Sequence, residues 1–409
     1  MGSNQISQYD RKIIARPLDG IKVTEITGVV AGPTTGRILI DLGATVVKIE
    51  IPASTERSLN AGAPGMFVTL NRNKRSLAVN LKSPEGKEIF YRRVKQSDVL
   101  VENLGPGAMD RLGFSYAQLK EINPKLIYSS IKGYGEGPCR NKLAYDDAIQ
   151  NETGLTYMTG VEGQPRRIGC AAIDMASAIF LCLGIALALK EREFTKKGKY
   201  VECDLFETAS FLMSYNLAAA QVLGKSPPSL NTPGIFFPVY ELFTTADSKK
   251  MFIGITSDGQ WNRFCQEFGL TELLDERFSS NAKRMQERPY IIPVIANLIS
   301  NFSRDELLER LEKCKVVVAP VNTPLEVLEH PQMQAPDKLG EISYAGLEKA
   351  LKTPVFPLVL EGFTALKTFV APELGEHSQE ILCELGYTKD EVQQLIQREV
   401  VKRAEKQGA

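Results

Sequence analysis

The chain has 409 residues, 43% hydrophobic and 24% charged, with 49 basic residues against 49 acidic ones. That length holds two or three domains, each able to bury a core, and the composition is that of an ordinary soluble globular protein. Balanced charge leaves no global field to recruit nucleic acid or an anionic membrane, so any anion site must be a local cluster.

Strand-like and helix-like segments alternate through the first half. Ile21–Ile26 is β-rich, Pro33–Leu42 has helical spacing and Thr45–Glu50 is a second β run. Gly28, Gly32 and Pro33 punctuate the first junction, with proline at a position typical of a first helical turn. Leu77–Leu81 and Ser83–Gln96 repeat the theme; Ser83-Pro84-Glu85 supplies a cap, a proline at the first helical position and a first-turn acid. Asp98–Glu102, Tyr116–Ile122 and Leu126–Lys132 continue it as strand, helix and strand. Such alternation predicts an α/β fold, an open parallel sheet with right-handed crossovers.

Met175 to Leu189 is an apolar run, shorter than the ~20 residues of a membrane span, and reads as a core helix. A long helix is expected at Phe206–Val222, followed by the breaker cluster Gly224-Lys225-Ser226-Pro227-Pro228. Beyond it come β runs at Val239–Thr245 and Met251–Ile255, helical segments at Gly259–Phe268, Arg288–Asn301 and Arg304–Lys313, and a closing strand at Val316–Val321. This organisation implies a large domain beginning with residues 1–225, a small α+β domain at 226–335, and a C-terminal segment, 336–409, that returns to the large domain. Helices are expected there at Gln379–Leu385 and Lys389–Gln397.

The seven cysteines lack any CxxC pair and several lie in apolar runs, as in Leu181-Cys182-Leu183. Reduced, buried thiols in a cytoplasmic protein are the expectation, and no signal peptide is read at the start. With only His330 and His377 in the chain, a Ser-His-Asp hydrolase, a His-rich metal site and a histidine proton shuttle all find little support.

Gly28-Val29-Val30-Ala31-Gly32-Pro33 links a strand to a helix and is either a plain turn or a loop for an anionic ligand; its spacing is not GxGxxG. Asn71-Arg72-Asn73-Lys74-Arg75-Ser76, with Lys82, concentrates positive charge around a short strand, and Arg111 and Lys132 add to it. Forked arginine and point-charge lysine contacts suit phosphates, and carboxyl ends of parallel strands line the ligand crevice. A solvated basic surface is the alternative. Val101-Glu102-Asn103-Leu104-Gly105-Pro106-Gly107 and Lys132-Gly133-Tyr134-Gly135 are polar, glycine-rich strand exits that serve as turns or as a binding face. Asp174, in Gly169-Cys170-Ala171-Ala172-Ile173-Asp174-Met175, stands alone ahead of the apolar run. It is a helix N-cap, a reactive carboxylate, or both, held ionised by the helix dipole. Tyr145-Asp146-Asp147 reads as a cap and first-turn acid.

Together these residues resemble the class III CoA-transferases, the family of formyl-CoA transferase, carnitine CoA-transferase and the alpha-methylacyl-CoA racemases. The stretches that carry the resemblance are Ala31-Gly32-Pro33, Leu42-Gly43-Ala44, Val47-Lys48-Ile49-Glu50, Asn73-Lys74-Arg75-Ser76, Val101-Glu102-Asn103 and Lys132-Gly133-Tyr134, in order. The resemblance implies Asp174 as the nucleophile and Val29, Val79, Lys82, Asn103, Arg111, Lys132 and Tyr134 around coenzyme A. It implies a Rossmann-like large domain plus a small domain, two subunits interlocked as a homodimer, and no permanently bound cofactor or metal. The expected substrates are an acyl-CoA thioester and a free carboxylic acid, with backbone N–H groups near Asp174 stabilising the oxyanions; nucleic acid and membrane partners are not expected. Val30 and Ile51 stand where formyl-CoA transferase carries glutamine and arginine, which counts against formyl-CoA and oxalate specificity, while Ser76–Phe114 resembles that enzyme most; a succinyl-CoA or formyl-CoA-like donor is expected. A 2-methylacyl-CoA racemase is the nearest alternative; Tyr145 replaces its histidine base. A non-catalytic CoA binder is the second alternative, and an NAD-dependent oxidoreductase fails for want of GxGxxG.

Overall fold

The computed structural model describes residues 16–54, 65–161, 163–345 and 347–404. Residues 1–15 and 405–409, assigned above to the large domain, lie outside them. The chain forms two compact units, one of Met1–Thr153, Ile168–Ser214 and Pro331–Ala409, the other of Gly154–Arg167 and Tyr215–His330. The second unit thus takes in a segment that the sequence reading gives to the large domain, and it starts ahead of residue 226.

In the first unit, β1 (Lys22–Ile26), β2 (Thr45–Glu50), β3 (Arg75–Val79), β4 (Val99–Glu102), β5 (Ile127–Lys132) and β6 (Tyr200–Asp204) run parallel. Val23, Val46, Val47, Leu100 and Val101 are at most 1% exposed, so both faces of the central strands are covered. That is why they read as continuous apolar runs rather than as alternation. The Ala31–Asp41 helix returns from β1 to β2, and the Ala172–Thr195 helix leads into β6. Because each crossover helix runs against its strands, its N-terminus lies at the carboxyl edge of the sheet.

The expected single helix at Phe206–Val222 is two, Leu205–Leu212 and Ser214–Leu223. The apolar run also differs from expectation. Its helix spans 24 residues and is by length and composition able to cross a membrane. Ile173, Ser177, Ala178, Leu181 and Ile185 are buried toward the Ala31–Asp41 helix, β5 and β6. Ile179, Leu183 and Leu187 are more than half exposed, so this is a sheet-covering helix with an open apolar face, not a core helix.

The second unit holds an antiparallel sheet of β7 (Val239–Thr244), β8 (Lys250–Ile255) and β9 (Val317–Pro320), in that order. Trp261, Phe264, Ile291, Ile295 and Leu307 form its core, and the Trp261 indole N–H donates to the Leu273 carbonyl at 3.0 Å.

Back in the first unit, β10 (Leu339–Ser343), β11 (Leu351–Pro354) and β12 (Thr368–Val370) form a small sheet. The Ser378–Glu384 and Lys389–Gln397 helices place Ile381, Leu382, Val392 and Leu395 in the same core as Leu77, Ile89 and Phe90. β13 (Val401–Lys402) then pairs antiparallel with β3, completing the order β13-β3-β2-β1-β4-β5-β6. The chain reverses its direction of travel across the sheet between β1 and β4, where a parallel α/β sheet opens a crevice at its carboxyl edge. All seven cysteines are free thiols, but only Cys182, Cys265 and Cys314 are buried; Cys139, Cys170 and Cys383 are exposed, against expectation.

Candidate active site

A cleft of about 1070 Å³ opens at the carboxyl ends of β1, β2 and β3. Thr27, Gly28, Lys48, Glu50, Lys82 and Arg403 are among its lining residues. Sequence reasoning marked Lys82 but missed the Ile396–Arg403 wall, because β13 pairs with β3 across more than three hundred residues of chain.

The basic motif does not face that cleft as expected. The Arg72 guanidinium is buried, 2.8 Å from Asp41 and stacked over the Phe369 ring. Lys74 is buried against Glu25 at 2.8 Å, and Arg75 donates to both carboxylate oxygens of Glu384. Each cation is matched by an anion distant in sequence, so these three hold elements together instead of waiting for phosphate.

Other expected contacts are placed variously. Val79 is fully buried in the sheet core, so its side chain cannot line a ligand cleft. Lys132 lies 2.7 Å from the Glu102 carboxylate and also donates to the Leu104 carbonyl. Arg111 is exposed and donates to the Pro106 carbonyl. The Tyr134 hydroxyl donates to Glu152, and its ring is 4% exposed. Lys132 lines a second hollow of about 580 Å³ that runs alongside β4, β5 and β6, from Glu102 and Lys132 at strand ends to Tyr128 and Tyr200 at strand starts, with Arg140. Of the residues expected around coenzyme A, Lys82 lines the first cleft and Lys132 the second; Val29, Val79, Asn103, Arg111 and Tyr134 line neither.

Asn103 acts on the β1 exit. Its side-chain carbonyl accepts from the Gly28 N–H and its amide donates to the Gly28 carbonyl, both at 2.9 Å. The next residue, Val29, has a φ of 64° and is half exposed. A β-branched side chain in the left-handed region is strained, and such strain persists only where the surroundings over-determine it. The Ala31–Asp41 helix that follows has no side-chain N-cap.

Asp174 is the third residue of the Ala172–Thr195 helix, not its N-cap, and it is 9% exposed. The capping is done from elsewhere: one Asp146 carboxylate oxygen accepts from the Ile173 N–H at 2.7 Å and the Asp174 N–H at 3.0 Å. Gln150 donates to the other oxygen, while its own carbonyl accepts from the Ile168 N–H at 2.9 Å. Asp146 keeps its expected place as a first-turn acid of the Asp146–Glu152 helix and in addition caps the start of a different helix. Two consequences correct the sequence reading. Burial, reinforced by the Asp146 and Asp147 charges, pushes the Asp174 carboxyl up to about 7, against the expectation that the dipole holds it ionised. And of the backbone N–H groups expected to serve near Asp174, those of Ile173 and Asp174 are already engaged by Asp146.

Thr34, in the first turn of the Ala31–Asp41 helix, approaches the Met175 sulfur at 3.6 Å. The strained β1 exit, the uncapped helix start and Asp174 therefore sit together on one edge of the sheet. The cleft opens on that edge through Thr27 and Gly28, and Asp174, a carboxyl of raised proton affinity, lies at the start of the neighbouring Ala172–Thr195 helix. Among the described residues no cluster of three or more His, Cys, Asp or Glu could hold a metal ion.

The fold and this edge are those of an α/β protein with a ligand-sized cleft at the carboxyl ends of its strands, and comparison defines its family. The family model for CoA-transferase family III matches residues 18–378, so the chain belongs to that family and is a CoA-transferase. An acetyl-CoA:oxalate CoA-transferase of Acetobacter aceti is 32% identical, covering 87% of this chain and 97% of that one. A succinyl-CoA:glutarate CoA-transferase of Homo sapiens is 30% identical, covering 95% and 91%. The crystal structure of a CAIB/BAIF family protein from Brucella suis superposes with a TM-score of 0.84 at 30% identity, over 91% of this chain and all of that one.

Proposed function

We propose that this protein moves coenzyme A from a short acyl-CoA donor, such as a dicarboxylate monothioester, to a free carboxylic acid, with Asp174 as the nucleophile. The observation that carries the assignment is a buried carboxylate of raised proton affinity at the helix start beside the β1 exit. A carboxylate whose basicity is raised by burial is a better nucleophile once ionised than one solvated by water.

In the first step an Asp174 oxygen bonds to the donor carbonyl carbon; the C–S bond breaks and CoA leaves as the thiolate. The thiolate then attacks the aspartyl carbonyl of the mixed anhydride, expelling the donor acid and leaving an aspartyl-CoA thioester. The acceptor carboxylate attacks that thioester, and the released thiolate captures the acceptor acyl group, regenerating Asp174. No net proton, oxidant or reductant is consumed. Each tetrahedral oxyanion needs donors fixed in advance. With the Ile173 and Asp174 N–H groups engaged by Asp146, the uncapped first turn of the Ala31–Asp41 helix is the better source.

The 1070 Å³ cleft has the size and the Lys82 and Arg403 charges to receive the nucleotide end of coenzyme A. The apolar face of Ile179, Leu183 and Leu187 supports a homodimer in which a second subunit covers it, in a cytoplasmic enzyme, in preference to a lipid surface. Screening carboxylic acids against labelled succinyl-CoA and acetyl-CoA tests the reaction. Label transfer that Asp174→Ala abolishes while coenzyme A still binds is the expected result; transfer that survives the substitution contradicts it.

A further inference from the structure

Four charged side chains lie largely buried beneath the β1 exit, two of them, Lys48 and Glu50, at the floor of the cleft. Glu25, Lys48, Glu50 and Lys74 are all at most 5% exposed. The Lys74 ammonium is within 2.8 Å of the Glu25 carboxylate, donates to the Asn71 side chain at 2.9 Å and to the Pro33 carbonyl at 2.9 Å. The Lys48 ammonium is 3.5 Å from Glu25 and donates to the Thr27 carbonyl at 2.7 Å. Thr27 in turn donates its hydroxyl to Glu25 at 2.6 Å. The two ammonium groups therefore grip the two ends of the Thr27–Pro33 segment, and Asn103 grips Gly28 between them.

Buried ion networks are poor sources of stability. Replacing one by apolar groups of similar volume is often neutral or stabilising, because the desolvation of each charge offsets the attraction. Burial holds the Lys74 ammonium down to about 8 despite Glu25, which shows how much solvation it has surrendered. What such a network supplies is a fixed geometry, and here it lies under a valine held at a φ of 64°. Fit around it is tight: a Cβ on Gly36 would collide with the Glu25 carboxylate, and one on Gly32 would fall 2.5 Å from Thr27 and 2.9 Å from Asn103.

We propose that Lys74, Lys48 and Glu25 are positioning residues for catalysis: they lock the Thr27–Pro33 segment in its strained form, so that it sets the register between the CoA cleft and Asp174. One end of the segment lines the cleft through Thr27 and Gly28, and the helix it starts touches Met175, the neighbour of Asp174. The chemical part of the inference rests on the proposed function; the mechanical part does not. Misplacing a reacting group by about 1 Å costs on the order of a hundredfold in rate.

The test is the Glu25→Gln/Lys74→Met double variant, which keeps the buried charge balanced by removing one anion and one cation. Hydrogen exchange of the 27–36 amides in the ligand-free protein should accelerate at least tenfold while β4 and β5 stay protected. The melting temperature should be unchanged or higher. With an acyl-CoA that loads wild-type Asp174, adduct formation should slow ten- to a hundredfold while the Kd for coenzyme A moves less than threefold. Unaltered exchange of 27–36 overturns the mechanical claim, whether or not the wild-type enzyme turns over. A rate loss that only tracks a lower melting temperature or weaker CoA binding also overturns the proposal, since a merely structural role gives that pattern. If wild-type Asp174 forms no adduct with any acyl-CoA, the proposed nucleophile fails and the exchange result alone judges the network.

Discussion

Replacing Asp174 by asparagine should stabilise the protein at neutral and alkaline pH. The Asp174 carboxyl is raised from 3.8 to about 7 in the folded state, with burial the largest cause and Asp146 the next. A raised carboxyl binds its proton more tightly folded than unfolded, so the folded state loses stability as pH climbs from the unfolded value through the folded one. The loss is complete above about pH 7 and absent below about pH 4. Three units at roughly 1.4 kcal/mol each give a penalty of about 4 kcal/mol at pH 8, of which about 2 kcal/mol is already present at pH 5. Asparagine has nearly the shape of the protonated acid and never ionises. Urea unfolding of Asp174→Asn and wild type at both pH values reads the difference directly. The variant should be the more stable at pH 8, and its advantage should shrink by roughly half at pH 5. An advantage that is equal at both values, or a variant less stable at pH 8, refutes the electrostatic reading of this site.

Asp146→Asn keeps an oxygen to accept the Ile173 and Asp174 N–H groups but removes a charge that raises the Asp174 carboxyl. The acidic limb of the kcat/KM–pH profile, set by ionisation of Asp174, should move to lower pH; a limb that stays in place means Asp146 acts only as a cap. Asp147 adds a smaller charge effect on Asp174, while Lys132 is paired with Glu102 and Arg140 with Glu202 and Asp204, and Glu207 accepts from the Gly135 N–H. Val29→Gly removes the left-handed strain at a half-exposed side chain and should stabilise by about 1 kcal/mol while lowering kcat; a destabilised variant of full activity contradicts this. Leu183→Glu with Leu187→Glu should reduce the dimer fraction in light scattering, since both side chains lie on the open apolar face. A wild-type monomer at micromolar concentration contradicts the covered-face reading.

The parallel sheet was legible because helix-period and strand-period segments alternate, and Ser83-Pro84 does cap its helix as read. The site was legible only in outline. Charge density marked Arg72, Lys74 and Arg75 as a phosphate cluster, yet their partners Asp41, Glu25 and Glu384 lie 31, 49 and 309 residues away. No local pattern reveals such pairing. Likewise the proton affinity of Asp174 depends on burial and on Asp146, 28 residues earlier, whose carboxylate bonds Gln150 of its own helix with one oxygen and caps the start of another with the other. The split of the Phe206–Val222 segment and the open face of the Ala172–Thr195 helix escaped the same way, since composition records apolarity and not what covers it.

The central claim is that Asp174 carries the acyl and CoA groups in turn. Intact-mass analysis of the enzyme incubated with succinyl-CoA or acetyl-CoA, followed by hydroxylamine and peptide mapping, addresses it directly. A CoA adduct on wild type, absent from Asp174→Asn, with the hydroxamate on the peptide containing Asp174, is the predicted result. A hydroxamate on any other carboxylate, or turnover without any enzyme-bound CoA, contradicts the account.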